Sequence, residues 1–161
     1  MDFLWSPWRY RYVTSGAPPA GCIFCTKPTE GRDEEHYILH RGTACYVLLN
    51  LYPYASGHLM VVPLQHVSTL EECPRDALLE MALLAQRAEA NLRRVYRCEG
   101  VNIGFNIGKC AGAGVAGHLH QHLVPRWAGD SNFMAVLGET RVLPEELPET
   151  YRKLSSENWH V

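Results

Sequence analysis

Three histidines at alternate positions, His118, His120 and His122, are the side chains of this sequence best suited to chemistry. Successive side chains of a β-strand point to opposite faces, so a strand would place the three imidazoles on one face and Leu119 and Leu123 on the other. An expression tag is the alternative, but tags are terminal and rarely alternate. An imidazole serves as nucleophile, acid, base or metal ligand. The spacing therefore predicts a functional row of histidines.

A glycine-rich segment from Gly108 to Gly117 leads into this strand. Glycines have no Cβ, which lets backbone N–H groups approach a phosphate closely. Glycine-rich turns are common without a ligand, so the segment alone is not specific. Together with the histidines it indicates phosphoryl or nucleotidyl transfer, in which a histidine nucleophile divides one difficult displacement into two easier ones.

Cys22 and Cys25 form a CxxC pair. Such a pair supplies half of a tetrahedral zinc site when two more ligands come from elsewhere. A thioredoxin-like redox pair is a second interpretation, although no βαβ pattern surrounds the motif, and two buried thiols are a third. The remaining cysteines have no partnered spacing and are expected to be small buried residues: Cys45, Cys73, Cys98 and Cys110.

Hydrophobic patterning predicts the elements that position these residues. The predicted strands cover 44–49, 57–62, 101–107 and 119–124, the predicted helices cover 74–98 and 144–157, and 27–35 is predicted to be a loop. The longer helix has apolar residues at three- and four-residue steps between Pro74 and Cys98, with Gly100 just beyond its end. A hairpin, a helix and two more strands without βαβ alternation predict an α+β fold with an antiparallel sheet.

Length and composition limit the class of protein. A chain of 161 residues with 47% hydrophobic and 20% charged residues is typical of one globular domain. We expect an N-terminal arm over 1–20, which carries Trp5 and Trp8, and one domain over 21–161. A net charge of -2 argues against nucleic acid as a partner. Because no apolar run is long enough for a bilayer and no secretory pattern opens the sequence, we expect a cytoplasmic protein with no membrane partner.

The histidine row resembles the signature of the histidine-triad (HIT) superfamily, His-x-His-x-His followed by two apolar residues. The resemblance extends to the hairpin with Asn50 and Gly57-His58, and to the segment from Asn106 to Gly112. It implies a HIT-like fold and an enzyme in which the middle histidine of the triad attacks the α-phosphorus of a nucleotide. It also implies a homodimer in which two sheets join across the long helix and an exposed strand.

Individual roles follow from the same resemblance. His120 would be the nucleophile and His122 would support the phosphate site. Asn50 would lie near the ribose, and Asn106 with the loop amides near the phosphates. The loop residues assigned to the substrate are Gly112, Ala113, Gly114 and Val115. Many members of the family carry Gln and then Ser or Thr in place of Ala113 and Gly114, so the side-chain contacts of those residues with phosphate are lost here.

The resemblance also assigns a metal site. The related hexose-1-phosphate uridylyltransferases join a CxxC pair to a histidine after an apolar strand and to the first histidine of the triad. Carried over, the zinc ligands are Cys22, Cys25, His66 and His118. Four protein ligands make a closed, structural site, and this one would hold the triad strand beside His120.

Segments outside the triad narrow the resemblance to a bacterial branch that includes diadenosine tetraphosphate phosphorylase. They are Leu4–Arg9, Ala111–Val115 and Arg126–Phe133. The branch implies phosphorolysis of diadenosine tetraphosphate to ATP and ADP through a covalent nucleotidyl-histidine, with a small nucleotide and inorganic phosphate as substrates. A dinucleoside polyphosphate or nucleoside phosphoramidate hydrolase is the first alternative. A zinc-stabilised nucleotide-binding module without catalysis is the second.

Overall fold

A five-stranded antiparallel sheet forms the centre of the computed structural model, which describes residues 21–130 and 145–161. The strands in chain order are β1 (Ile38–Arg41), β2 (Cys45–Leu49), β3 (Leu59–Pro63), β4 (Gly100–Phe105) and β5 (Gln121–Arg126). Across the sheet their order is β1-β2-β3-β5-β4. The α-helices are α1 (Ile23–Thr26), α2 (Asp33–His36), α3 (Arg75–Tyr96) and α4 (Leu147–Ser155), and 3-10 helices span Lys27–Thr29 and Lys109–Ala111. The predicted α+β fold is therefore confirmed.

The main core lies between one face of the sheet and α3. Val47, Val61 and Leu123 are fully buried on that face, against helix residues such as Met81 and Leu84. Close-packed apolar side chains of this kind supply most of the free energy of folding. The core therefore holds β3 and β5, the two strands next to the triad, in a fixed register.

A smaller apolar cluster covers the opposite face of the sheet, where α1 lies. Phe24 of α1 packs with Tyr46, Met60 and Val62, and the Tyr46 hydroxyl donates a hydrogen bond of 2.8 Å to the Phe24 carbonyl oxygen. Met60 is also paired with His122 across β3 and β5. Side chains directly opposite each other lie on the same face, so the histidines share this face with the small cluster.

The long helix is confirmed, and its end differs slightly from the prediction. It stops at Tyr96 because Arg97 adopts a left-handed backbone with a φ of 50° and donates its N–H to the Arg93 carbonyl oxygen. Gly100, expected to follow the helix as its terminator, is instead the first residue of β4. A left-handed residue satisfies the last carbonyl groups of a helix and turns the chain away.

Two predictions from local pattern were wrong. The segment 27–35, predicted to be a loop, contains the first 3-10 helix and the start of α2, and the strand β1 was not predicted. These elements are too short to show a hydrophobic period, and pairing with β2 fixes β1. The predicted strand 119–124 lies at 121–126, because the Leu119 N–H donates to the Val67 carbonyl oxygen at 2.6 Å instead of joining the β-ladder.

Several expectations fall outside the described residues. They are the N-terminal arm with Trp5 and Trp8, and Asn132 and Phe133 beyond the triad. The second predicted helix is observed over Leu147–Ser155. Over 21–130 and 145–161, none of the helices is both long enough and apolar enough to cross a lipid bilayer.

Candidate active site

His120 is held in one orientation by the backbone beside it. Its Nδ1 lies 2.7 Å from the His118 carbonyl oxygen, and because a carbonyl oxygen only accepts, Nδ1 carries the proton and donates. The other ring nitrogen, Nε2, then keeps its lone pair. Burial lowers the pKa of His120, an effect that the bond to the His118 carbonyl partly offsets. His120 is thus a neutral imidazole with an available nucleophilic nitrogen.

A chain of two hydrogen bonds holds His122 in the opposite tautomer to His120. The Tyr54 backbone N–H donates to Nδ1 of His58 at 3.1 Å, so the proton of His58 is on Nε2. That Nε2 lies 3.0 Å from Nδ1 of His122 and donates to it. A neutral His122 therefore carries its own proton on Nε2, as a donor.

Burial keeps both members of this chain neutral. It lowers the pKa of His58 to about 3 and that of His122 to about 4, and the neighbouring histidines lower both further. The rings of His120 and His122 are 4.9 Å apart, centre to centre. The site therefore presents a lone pair on one imidazole next to a proton on the other. This arrangement suits attack by the first on the phosphorus of a phosphate group whose oxygens accept a hydrogen bond from the second.

The buried histidines make stability sensitive to acid. A group whose pKa is lowered on folding binds more protons when unfolded, so its contribution to stability is complete above pH 6.5 and is lost as the pH falls toward its folded pKa. We expect His58 alone to reduce the free energy of unfolding by about 1.4 kcal/mol per pH unit between pH 6.5 and pH 4. Urea denaturation at several pH values measures this slope, and His58→Gln is expected to flatten it.

The control for this measurement is His160→Gln, at a histidine that is exposed. His58 donates to His122, and His160 lies against the half-buried His40. The His58→Gln curve therefore reports the His58–His122 pair, and the control reports a histidine pair outside the cavity. A His58→Gln curve parallel to that of the wild type would show that folding does not lower the pKa of His58.

The two histidines open into a cavity of about 240 Å³. Most of the predicted substrate residues line it together with His120 and His122: Asn50, Asn106, Gly112, Gly114 and Val115. Ala113 does not line it. The glycine at position 112 adopts a φ of 90° at the end of the second 3-10 helix, a conformation that side chains other than glycine adopt only with strain.

Sequence reasoning missed three side chains at this site. Phe24 packs its ring 4.9 Å from that of His120, Lys27 lines the cavity from the 3-10 helix after α1, and His58 orients His122. His58 stands in the Gly57-His58 motif that carried the resemblance, so its signal was present. Phe24 lies inside the CxxC pair and Lys27 just after it, but that motif indicates a metal site and not a substrate cavity. The packing of α1 onto the sheet brings both side chains here.

All four predicted zinc ligands lie together beside this cavity. One donor atom from each of Cys22, Cys25, His66 and His118 is within 4.8 Å of the other three. The Sγ of Cys22 is 3.3 Å from Nδ1 of His118, the Sγ of Cys25 is 3.3 Å from Nδ1 of His66, and the two Nδ1 atoms are 3.2 Å apart. The first histidine of the triad thus belongs to this cluster and not to the cavity.

The donor set fits zinc in both chemistry and size. Bonds of about 2.0 to 2.3 Å to a tetrahedral zinc place neighbouring nitrogen and sulfur ligands roughly 3.3 to 3.6 Å apart, close to the distances found. Nε2 of His118 lies 2.9 Å from the Pro63 carbonyl oxygen and donates to it, which leaves Nδ1 unprotonated toward the cysteines. A hydrogen bond of this kind is how proteins orient a histidine ligand.

Comparison with known proteins agrees with this geometry. The model of the HIT domain matches residues 32–129, which include β1 to β5 and all three triad histidines. The chain belongs to the HIT domain family. Membership of this family explains why the sheet, the glycine-rich loop and the row of histidines occur together in one chain.

Three proteins similar to this HIT protein come from two bacteria and an archaeon. A Mycobacterium tuberculosis protein named AP-4-A phosphorylase is 40% identical over 98% of this chain and 84% of its own length. A HIT-like protein of Saccharolobus solfataricus is 33% identical over 70% and 79%. A Zn-bound histidine triad family protein from Mycobacterium smegmatis superposes with a TM-score of 0.70 at 27% identity, over 84% of this chain and 91% of that one. The chain is thus a HIT enzyme, of the nucleotidyltransferase, phosphorylase or hydrolase kind.

Proposed function

We propose that this HIT enzyme catalyses phosphorolysis of dinucleoside polyphosphates, with diadenosine tetraphosphate converted to ATP and ADP. The observation that carries the reaction type is the pair of neutral imidazoles, His120 with a free lone pair and His122 with a proton, at one cavity. The choice of substrate is supported by the 40% identical relative named AP-4-A phosphorylase.

The first step is attack by Nε2 of His120 on the α-phosphorus. A nitrogen–phosphorus bond forms, and the bond from that phosphorus to the bridging oxygen breaks, with its electron pair leaving on ATP. Donation by Nε2 of His122 stabilises negative charge on the phosphoryl oxygens. The proton remains on Nδ1 of His120, and its hydrogen bond to the His118 carbonyl oxygen holds the ring in place.

The second step returns the enzyme to its starting state. An oxygen of inorganic phosphate attacks the phosphorus of the adenylyl-histidine, a new phosphorus–oxygen bond forms and the nitrogen–phosphorus bond breaks. Its electron pair returns to Nε2 of His120, and the product is ADP. Division into two displacements lets one nucleophile serve a donor and an acceptor in turn.

Product analysis tests this proposal. The enzyme is mixed with diadenosine tetraphosphate with and without inorganic phosphate, and nucleotides are separated by ion-exchange chromatography. We expect ATP and ADP, formed only when phosphate is present. ATP and AMP formed at the same rate with or without phosphate would replace the phosphorylase with a hydrolase.

We further propose that Cys22, Cys25, His66 and His118 hold a structural zinc ion. The support is the donor geometry and the Zn-bound relative from Mycobacterium smegmatis. Zinc would supply a rigid tetrahedral link and no reactive water, because four protein ligands close the site. His118 would join that link to the backbone carbonyl that orients His120.

We also propose a homodimer formed through the β4 edge of the sheet. Over the described residues β4 has a strand neighbour on one side only, and Ile103 in its centre is 47% exposed. An unpaired edge with an exposed apolar side chain is a site for pairing with a second chain. We expect Ile103→Asp to convert a dimer to a monomer at micromolar concentration in analytical ultracentrifugation.

The control for the dimer is Leu70→Asp, at an exposed leucine between β3 and α3. It introduces the same charge away from β4 and is expected to leave the dimer intact. A wild-type protein that sediments as a monomer would disprove the dimer.

A further inference from the structure

The wall of the cavity carries one full positive charge. Among the described residues that line it, Lys27 is the one lysine, arginine is absent, and no carboxylate is present. The two imidazoles of the lining are held through Nδ1, His120 by the His118 carbonyl oxygen and His122 by His58, and neither bonds to a carboxylate of the described residues. A substrate with a chain of phosphates brings several negative charges into this space, and Lys27 is the side chain there that can balance them as an ion.

Lys27 has no ion partner within the described residues. The nearest acidic group that acts on its charge is Glu30, but the carboxylate of Glu30 binds Arg32 and His36. A half-buried ammonium group without an anion is costly, since burial removes part of its water and no carboxylate of the described residues pairs with it. The cost is recovered if an anionic ligand occupies the cavity.

The backbone that carries Lys27 is well fixed. Phe24, three residues earlier, is buried and packs against His120, and its carbonyl oxygen accepts a hydrogen bond from Tyr46. Lys27 itself continues the turn of α1 and starts the next 3-10 helix. The ammonium group therefore extends from a rigid element on the same side of the sheet as the histidines.

The glycine-rich loop does not supply the positive charge that a chain of phosphates needs, and Lys27 can supply it. Ala113 and Gly114 offer no side-chain donor, and the lysine of the loop, Lys109, is exposed and does not line the cavity. The loop therefore faces the cavity with backbone N–H groups and without a charged side chain. A cationic side chain opposite such a loop supplies point charge, and the loop supplies directed hydrogen bonds, as in other phosphate sites.

We infer that Lys27 binds the phosphate groups beyond the α-phosphorus, the leaving chain in the first step and the acceptor phosphate in the second. Both groups need the same position, because in each in-line displacement they lie on the side of phosphorus away from the nitrogen of His120. The inference rests on the proposed phosphorolysis. It makes Lys27 the residue that favours phosphate over water as acceptor.

Steady-state kinetics with Lys27→Gln and Lys27→Arg tests this role. For Lys27→Gln we expect KM for inorganic phosphate to rise about 10- to 100-fold, the loss of one charged hydrogen bond, and the ratio of AMP to ADP among the products to increase. Lys27→Arg is expected to recover most of the loss. A rise in KM for the dinucleotide as well identifies binding of the leaving chain, whereas a rise for phosphate alone identifies the acceptor only.

A binding experiment separates this inference from the proposed reaction. In a His120→Ala background, which needs no turnover, calorimetry compares ATP with adenosine. We expect Lys27→Gln to weaken the binding of ATP by at least about tenfold and to leave the binding of adenosine unchanged. The charge control is Arg75→Gln on the exposed first residue of α3. Equal weakening of ATP and adenosine, or no change in either, would overturn the assignment even if the enzyme proves to be a hydrolase.

Discussion

His120→Ala is expected to lose turnover of diadenosine tetraphosphate by about 10⁴-fold or more while the protein still folds and binds nucleotide. The imidazole supplies the attacking electron pair, and no neighbouring group can replace it. His122 is held with its proton toward the substrate through His58 and has no free lone pair on Nε2. The variant therefore removes the nucleophile itself and not one of several contributions to binding.

Intact-mass spectrometry provides the second readout for this variant. Incubation of the wild type with dinucleotide in the absence of phosphate is expected to add one adenylyl group. The analysis is made at alkaline pH, where a phosphorus–nitrogen bond to histidine survives. His120→Ala should show no addition, and His160→Ala, at an exposed histidine, should behave as the wild type. Full turnover by His120→Ala would exclude the covalent mechanism and would favour another catalytic group.

Removal of the zinc ligands has the second large expected effect, on folding. For the double variant Cys22→Ser and Cys25→Ser we expect loss of bound zinc and a fall in the free energy of unfolding of about 4 kcal/mol or more. That fall corresponds to roughly 10 °C or more in melting temperature. The reason is that α1 is attached to the sheet in two places, by Phe24 and by the cluster in which the cysteines meet His66 and His118. The variant removes the second attachment.

Cys110→Ser is the matched control for this variant. Cys110, predicted from the sequence to be buried, is exposed and lies outside the four-ligand cluster. The same replacement there should therefore keep both zinc and the melting temperature. Metal content is measured by mass spectrometry of the purified protein, and thermal unfolding is repeated after treatment with a chelator. Absence of zinc from the wild type, with no effect of chelation on unfolding, would leave two thiols and two imidazoles without a metal role.

The proposed zinc site and the candidate active site are physically connected. His118 contributes Nδ1 to the cluster, and its carbonyl oxygen fixes the tautomer of His120. A loss of metal would therefore disturb the orientation of the nucleophile as well as the fold. In the proposed mechanism the three histidines of the triad have different roles: the first positions, the second attacks and the third donates a hydrogen bond.

Elements with a clear period were predictable from sequence. The stripe of α3, the hairpin β2–β3 and the alternation around His120 are patterns that burial on one face imposes on the sequence itself. The reactive histidines and the CxxC pair were evident for a similar reason, since their chemistry needs particular residue types. The roles of Asn50 and Asn106, the zinc ligands and the dimer came from the family resemblance and not from spacing.

Tertiary structure alone decided how these pieces meet. The short α1 has no period, and only its packing on Tyr46 and Met60 brings Phe24 and Lys27 to the cavity. The proton positions on His120 and His122 depend on hydrogen bonds to backbone and to His58. Sequence determines which side chains can react and which faces are buried, because those are local properties. Which nitrogen of each imidazole carries the proton, and which charge faces the substrate, depend on groups far apart in the chain. Those groups meet only when the sheet forms.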